Sequence, residues 1–304
     1  MCRILSIDGG GMRGLIPATI LATMERLAGK PIGHLVDLVA GTSTGGIIAA
    51  AVAAGIPMER VRRLYREQGR EIFARDIGHV IDSLGGLADE KYPATGLDRC
   101  LGALFQDRKL SDASTELLVT ATTLSGAPMM FKRRKARRDQ AEDFLLTDVC
   151  RATSAAPTYF PPAEISDLAQ ARTHYLADGG LVANNPAMCA VAEGFKGGEP
   201  FPTLVSLGTG ADDSSLTIKA ARHLGLLNAA GVLKMVFNGP GAAVDYQCRE
   251  LLGDQYHRLQ PTLPGPMELD ATDESSLALL EELAAQVCES PEFERACKAL
   301  GIAA

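Results

Sequence analysis

The stretch HLVDLVAGTSTGGIIAAAVAA (34–54) decides how the chain is read. His34–Ala40 is mostly apolar, as a strand buried on both faces is. It breaks at Gly41-Thr42-Ser43-Thr44-Gly45-Gly46, after which Ile47–Ala54 continues as a helix of small residues. A strand that turns into a helix around a serine thrusts that hydroxyl outward, and glycines at 41 and 45 remove the side chains that would crowd so sharp a turn. The serine then stands at a helix N-terminus, where the backbone dipole favours developing negative charge. The competing reading is a serine that only caps its helix. The strand before Ser43 and the helix after it favour a nucleophile.

Upstream, Arg3–Ile7 reads as a short buried strand, Asp8–Gly14 as a glycine-rich turn and Leu15–Leu27 as a helix. Consecutive glycines in Asp8-Gly9-Gly10-Gly11-Met12-Arg13-Gly14 allow backbone N–H groups to converge on one anion, as an oxyanion hole requires. Gly9, Gly11 and Gly14 also fit a dinucleotide fingerprint, which expects an acidic residue about 20 positions on, at the end of a second strand. The nearest acid to that offset, Glu25, lies inside the predicted helix, and no phosphate-loop motif is present. The amides around Gly9, Gly10, Gly11, Arg13 and Gly14 are therefore candidate oxyanion donors. Strand, loop, helix, strand, sharp turn, helix argues for a parallel sheet covered on both faces.

Downstream, Met58–Phe73 reads as a charged amphipathic helix. Residues 76–96 lack periodicity and read as a loop or short helix, a cover over a pocket. Thr115–Leu124 and Pro128–Arg133 read as strands joined around Gly126-Ala127, Leu146–Ala155 as a helix, and His174–Ala177 as a strand running into Asp178-Gly179-Gly180. Phe201–Leu207 is a further strand, followed by helical stretches near 216–229, 231–252 and 274–288. With no repeat and no linker, residues 1–304 are expected to form one domain, with motifs in 3–210 and a helical part in 211–304. A carboxylate at a strand end is well placed to take a proton from Ser43. An aspartate of ordinary pKa, about 3.9, is a weak base, so burial or like charge must raise it. The plainer alternative is a turn aspartate, since Asp-Gly is a common turn dipeptide.

The histidines are His34, His79, His174, His223 and His257. In a Ser–acid–His order, His223 or His257 would complete a triad after Asp178. That architecture places several strands before its nucleophile, whereas Ser43 follows one strand–helix unit. His223 sits in a predicted helix and His257 in a predicted strand, neither beside a glycine turn, so a two-residue Ser–Asp machine fits better.

The sequence resembles the patatin-like phospholipases, lipid acyl hydrolases that use a Ser–Asp dyad. The resemblance rests on DGGGMRG (8–14), GTSTGG (41–46) and DGG (178–180), in that order, supported by ATSAAPTYFPP (152–162) and DGGLVANNPA (178–187), and it spans roughly residues 3–210. It implies an α/β fold, a three-layer α/β/α sandwich with a mainly parallel central sheet. It further implies Ser43 as nucleophile, Asp178 as general base and Gly10 and Gly11 as oxyanion donors, with Gly9 or the Arg13 amide as alternatives. Gly41, Gly45, Gly179 and Gly180 support these motifs. Phospholipid or another acyl ester is the implied substrate, and no metal or cofactor is expected. The family includes bacterial defence effectors switched on by cyclic nucleotides, which makes such an activator a further expectation, although no residue pattern marks a nucleotide site. An acyltransferase using the same acyl-enzyme and a binding protein with a vestigial dyad are the rival classes.

Composition sets outer bounds. A formal charge of −7 repels nucleic acid, and the absence of Trp weakens any stacking platform. The seven cysteines form no CxxC pair and suggest reduced thiols. Without a signal peptide or an apolar run of about 18 residues, the expected location is cytoplasmic and peripheral to a membrane. Lys132–Arg138 holds six basic residues in seven, read as a solvated hairpin arm ahead of a lipid-headgroup contact. Tyr159-Phe160-Pro161-Pro162 reads equally as an acyl-pocket lining and as a packed turn.

Overall fold

The computed structural model describes residues 2–74, 90–196, 201–211 and 229–303. Among them, β1 (Arg3–Ile7), β2 (Leu38–Thr42), β3 (Glu116–Thr123), β4 (Pro128–Lys132), β5 (Ala163–Ser166), β6 (Thr173–Asp178), β7 (Thr203–Leu207) and β8 (Tyr256–Leu259) form one sheet. Its order is β5-β6-β3-β2-β1-β7-β8, with β4 also paired to β3. The run β3-β2-β1-β7-β8 is parallel, while β4, β5 and β6 enter antiparallel. Alternate side chains of the central strands feed opposite layers, as the two-residue period of a strand demands. Leu5, Ile7 and Val39 join the core beneath α1 (Leu15–Ala28), α2 (Thr44–Ala53) and α3 (Met58–Ile72). Ile4, Leu38 and Ala40 pack in the other core. The fold is a three-layer α/β sandwich with a mostly parallel sheet.

The strand read at His34–Ala40 starts later, at Leu38. Ile32–His34 forms a 3₁₀ turn, and Leu35 and Val36 are buried outside the strand, so their apolarity mimics its continuation. The helix after the serine starts at Thr44 rather than Ile47, because glycines 45 and 46 sit inside its first turn. The helix α4 (Thr95–Phe105) begins at the end of the stretch read as a loop or short helix, and buries Leu97, Cys100, Leu101, Leu104 and Phe105 on one face. The rest of the cover read over 76–96, from 76 to 89, lies outside the described residues, as does nearly all of the helix read near 216–229. Further helices are α5 (Leu146–Thr153), α6 (Ala187–Phe195), α7 (Ala229–Leu252), α8 (Glu274–Cys288) and α9 (Pro291–Ala299). Against the second core pack Ala187, Ala190 and Val191 of α6 and Cys248 and Leu252 of α7. No helix among the described residues is long and apolar enough to cross a membrane.

Gly102 stands exposed inside α4, with open space where a Cβ would go. Glycine there adds backbone freedom to the unfolded chain and contributes no packing. Gly102→Ala is expected to stabilise the protein by about 0.5–1 kcal/mol. A melting temperature at or below wild type would contradict this.

Candidate active site

Two strands that run toward each other build the site. β2 lies parallel to β3 and ends with Thr42 opposite Thr120; β6 lies antiparallel to β3 and ends with Asp178 opposite Ala121. Since β4 occupies the other edge of β3 at both positions, β2 and β6 share one edge and meet end to end. The residue that leaves β2, Ser43, therefore faces the last residue of β6.

Ser43 adopts φ 54 and ψ −125, a left-handed conformation that an ordinary side chain avoids. Its hydroxyl makes no capping bond to α2. Instead Ser43 Oγ donates to Asp178 Oδ2 at 2.7 Å, which disfavours the reading of this serine as a helix cap. The Ser43 amide donates to Thr153 Oγ1 at 2.8 Å, and the Thr42 hydroxyl bridges Thr120 Oγ1 and the Ala183 carbonyl. Around Asp178, its N–H donates to Ala155 O, its carbonyl accepts from Thr122 Oγ1 and its Oδ1 accepts from the Gly180 amide at 2.7 Å. The sequence motifs that contain Thr42 and Thr153 give these hydroxyls no role, and Thr122 lies in no motif; a hydroxyl that meets a partner distant in sequence leaves no local signal.

Asp178 is 0% exposed. Burial pushes its carboxyl up to about 7, and the hydrogen bonds from the Gly180 amide and the Ser43 hydroxyl only partly offset that. Desolvation thus moves this carboxyl in the direction that a base working near neutral pH needs.

The glycine loop runs past this pair. Gly9 N–H donates to Asn184 O and Arg13 N–H to Gly10 O, so both amides are engaged. Gly10 and Gly11 line the crevice with Ser43, and among the described residues their amides have no hydrogen-bond acceptor. Gly14 instead makes room for the Thr44 and Tyr65 side chains. Gly41 and Gly45 admit close backbone contacts at the elbow, Gly179 packs on Thr120, and Gly180 supplies the amide to Asp178.

From Ser43 and Asp178 a crevice opens with about 550 Å³ of empty space, mouth included. Its walls are chiefly apolar: Ile47, Ile72, Phe73, Leu97, Phe160 and Leu269 among them. Phe73, Tyr92 and Phe160 pack ring against ring. Tyr159 and Phe160 thus line the pocket, one of the two readings of their motif, and no histidine does among the described residues. His257 lies in β8, three strands from β2, while His79 and His223 fall outside the described residues. No cluster of three His, Cys, Asp or Glu able to hold a metal occurs among the described residues.

The basic run sits at the other end of β3. Lys132 and Arg134 pair with Glu193, Arg133 with Glu116 and Lys135 with Glu142, so four of its six charges are spent on internal partners.

The comparisons with known proteins fit this geometry. A cGAMP-activated phospholipase of Pseudomonas aeruginosa is 32% identical over 266 residues, covering 84% of this chain and 77% of the relative. Patatin-like protein 2 of Arabidopsis thaliana is 34% identical over 267 residues, covering 75% and 65%. Patatin-like protein 2 of Oryza sativa subsp. indica is 33% identical over 213 residues, covering 64% and 53%, so the chain spans between half and two thirds of these plant relatives. The family profile described as Patatin-like phospholipase matches residues 5–191, which takes in the glycine loop, the serine elbow and the Asp-Gly-Gly turn. With the motifs, the sheet and the profile in agreement, the chain belongs to the patatin-like phospholipase family.

Proposed function

We propose that the chain is a lipid acyl hydrolase of phospholipase A type, with Ser43 as nucleophile and Asp178 as general base. The observation that carries this reading is the 2.7 Å bond from Ser43 Oγ to a desolvated carboxylate at the end of an apolar crevice. Asp178 Oδ2 takes the hydroxyl proton as Oγ attacks the ester carbonyl, and the Gly10 and Gly11 amides receive the oxyanion. Collapse breaks the bond to the alcohol, which leaves as lysolipid with the proton held by Asp178. Water then gives a proton to Asp178 and attacks the acyl-enzyme; the fatty acid departs and Ser43 regains its proton. The apolar walls suit the acyl chain, and a bilayer substrate requires contact with the membrane surface. Residues 1–304 are taken as one catalytic unit, because β7 and β8 extend the sheet that carries the motifs.

Activation by a cyclic dinucleotide is the second reading, favoured by the Pseudomonas aeruginosa relative named as cGAMP-activated. The test is fatty-acid release from phospholipid vesicles and turnover of a short p-nitrophenyl ester, each with and without cGAMP, together with labelling by a fluorophosphonate. The expected result is hydrolysis and an adduct on the Ser43 peptide. A rate that rises with cGAMP supports the second reading, and an unchanged one counts against it. An adduct elsewhere removes Ser43 as nucleophile. Transfer to an added alcohol in preference to water would make the chain an acyltransferase.

A further inference from the structure

The glycine loop is held largely by residues distant from it in sequence. Asp8, immediately before the loop, receives both prongs of the Arg258 guanidinium: Nη1 to Oδ1 at 3.1 Å and Nη2 to Oδ2 at 2.5 Å. Both side chains are nearly enclosed, at 8% and 9% exposed. Arg258 is itself steadied by Ser206 Oγ at 2.8 Å, and it lies on β8, next to β7, which pairs with the β1 strand that leads into Asp8. On the other side of the loop, the Met12 amide donates to Leu269 O at 2.7 Å, and Thr209 Oγ1 donates to Gly9 O at 2.8 Å. Arg258, Leu269 and Thr209 all lie beyond the residues 5–191 matched by the family profile.

A buried guanidinium–carboxylate pair is costly to assemble and costly to break, because either partner left alone is a buried, uncompensated charge. Its two-pronged geometry fixes orientation as well as distance. Oxyanion donors act only when they are already aimed at the developing charge. We infer that Arg258 is a positioning residue: through Asp8 it holds the Gly10 and Gly11 amides in register with Ser43. This rests on the proposed acyl-transfer chemistry at Ser43. It gives the C-terminal part of the chain a share in the catalytic geometry.

The test compares wild type with Arg258→Met, Asp8→Asn and the double variant, on a p-nitrophenyl ester and on the matching thionoester. Sulfur accepts hydrogen bonds poorly, so the ester-to-thionoester rate ratio reports the oxyanion donors. The expected result is a fall of about 100-fold in kcat on the ester, of the size seen when such a donor is lost, with KM little changed. The thionoester rate falls much less, and the double variant is no worse than either single one, because both act through one contact. A merely structural role lowers both substrates' rates together and leaves the ratio intact, and that outcome overturns the inference. Hydrogen exchange of the 8–14 amides supplies a readout that needs no turnover. Arg258→Met is expected to speed exchange there, and an unchanged loop overturns the inference even if wild type hydrolyses nothing, which would by itself count against the acyl-hydrolase reading. Should Arg258→Met not accumulate, Arg258→Lys, which keeps the charge without the fork, carries the same comparison.

Discussion

Asp178→Asn is expected to be nearly inactive and yet more stable than wild type. The loss of activity follows from the proton path, since an amide cannot take the proton from Ser43 Oγ across the 2.7 Å bond. Replacing the carboxylate that serves the nucleophile costs about 10⁴-fold in known serine hydrolases, and Ser43→Ala is expected to fall at least as far. Wild-type activity should rise with pH through about 7, as Asp178 ionises. The gain in stability follows from linkage. The carboxyl titrates at about 7 when folded, from an ordinary value of 3.8. The folded state then binds the proton more tightly than the unfolded one, so Asp178 withdraws stability as pH rises between those values. At about 1.4 kcal/mol per pKa unit the ceiling is on the order of 4 kcal/mol above pH 7. Asparagine can keep the bonds to Gly180 and Ser43 without this cost. Urea midpoints should therefore be equal near pH 4, and the variant should lead increasingly up to pH 7. A variant less stable at pH 8 would show that the carboxylate is not desolvated; one with wild-type turnover would move the base elsewhere.

The parts of the site that were legible in the sequence are those where the backbone itself is constrained. A serine in a left-handed turn, with helix and strand backbones pressed together around it, needs glycine at fixed offsets, and the offsets are visible at Gly41 and Gly45. The glycine loop and the Asp-Gly-Gly turn show for the same reason, and the strands leading into them carry dense apolar runs. What did not show depends on long-range pairing. Arg258 meets Asp8 across 250 positions, and nothing local distinguishes it from any arginine of a half-buried strand. Thr153 touches the Ser43 amide across 110 positions, by a hydroxyl that looks like any other threonine. Lys132–Arg138 reads as a solvated basic arm because Glu193, Glu116 and Glu142, which pair with four of its six charges, are scattered through the chain. Most of helix α4 lies past the stretch 76–96, where Gly78, Gly85, Gly86, Pro93 and Gly96 blur any period, and residues 97–105 carry no reading in the sequence analysis although their apolar spacing is helical.

Gly41→Ala is expected to abolish the elbow. A Cβ there would overlap the Gly45 carbonyl and stand 2.7 Å from the Gly46 nitrogen. These are backbone atoms of the first turn of α2, so no rotamer change relieves the clash, and the helix must lift away from β2. The same turn is packed backbone to backbone on the end of β1, where a Cβ at Gly45 would overlap the Ile7 oxygen and stand 2.6 Å from that of Asp8. One methyl group therefore disturbs the junction of β1, β2 and α2, which also carries Ser43 and the start of the glycine loop. Overpacking of a well-packed core costs about 1–3 kcal/mol where side chains can shift; a backbone clash with no outlet belongs beyond that range, on the order of 4 kcal/mol or more. The expected observations are a large drop in melting temperature and no fluorophosphonate adduct on Ser43, whereas Gly102→Ala, the same change made in open space, keeps full labelling. If Gly41→Ala melts and labels like wild type, the tight turn is not what holds Ser43 in its left-handed conformation. The strain would then have to be carried by the Thr153 and Asp178 bonds to the serine itself, making the dyad a cause of the elbow rather than its product.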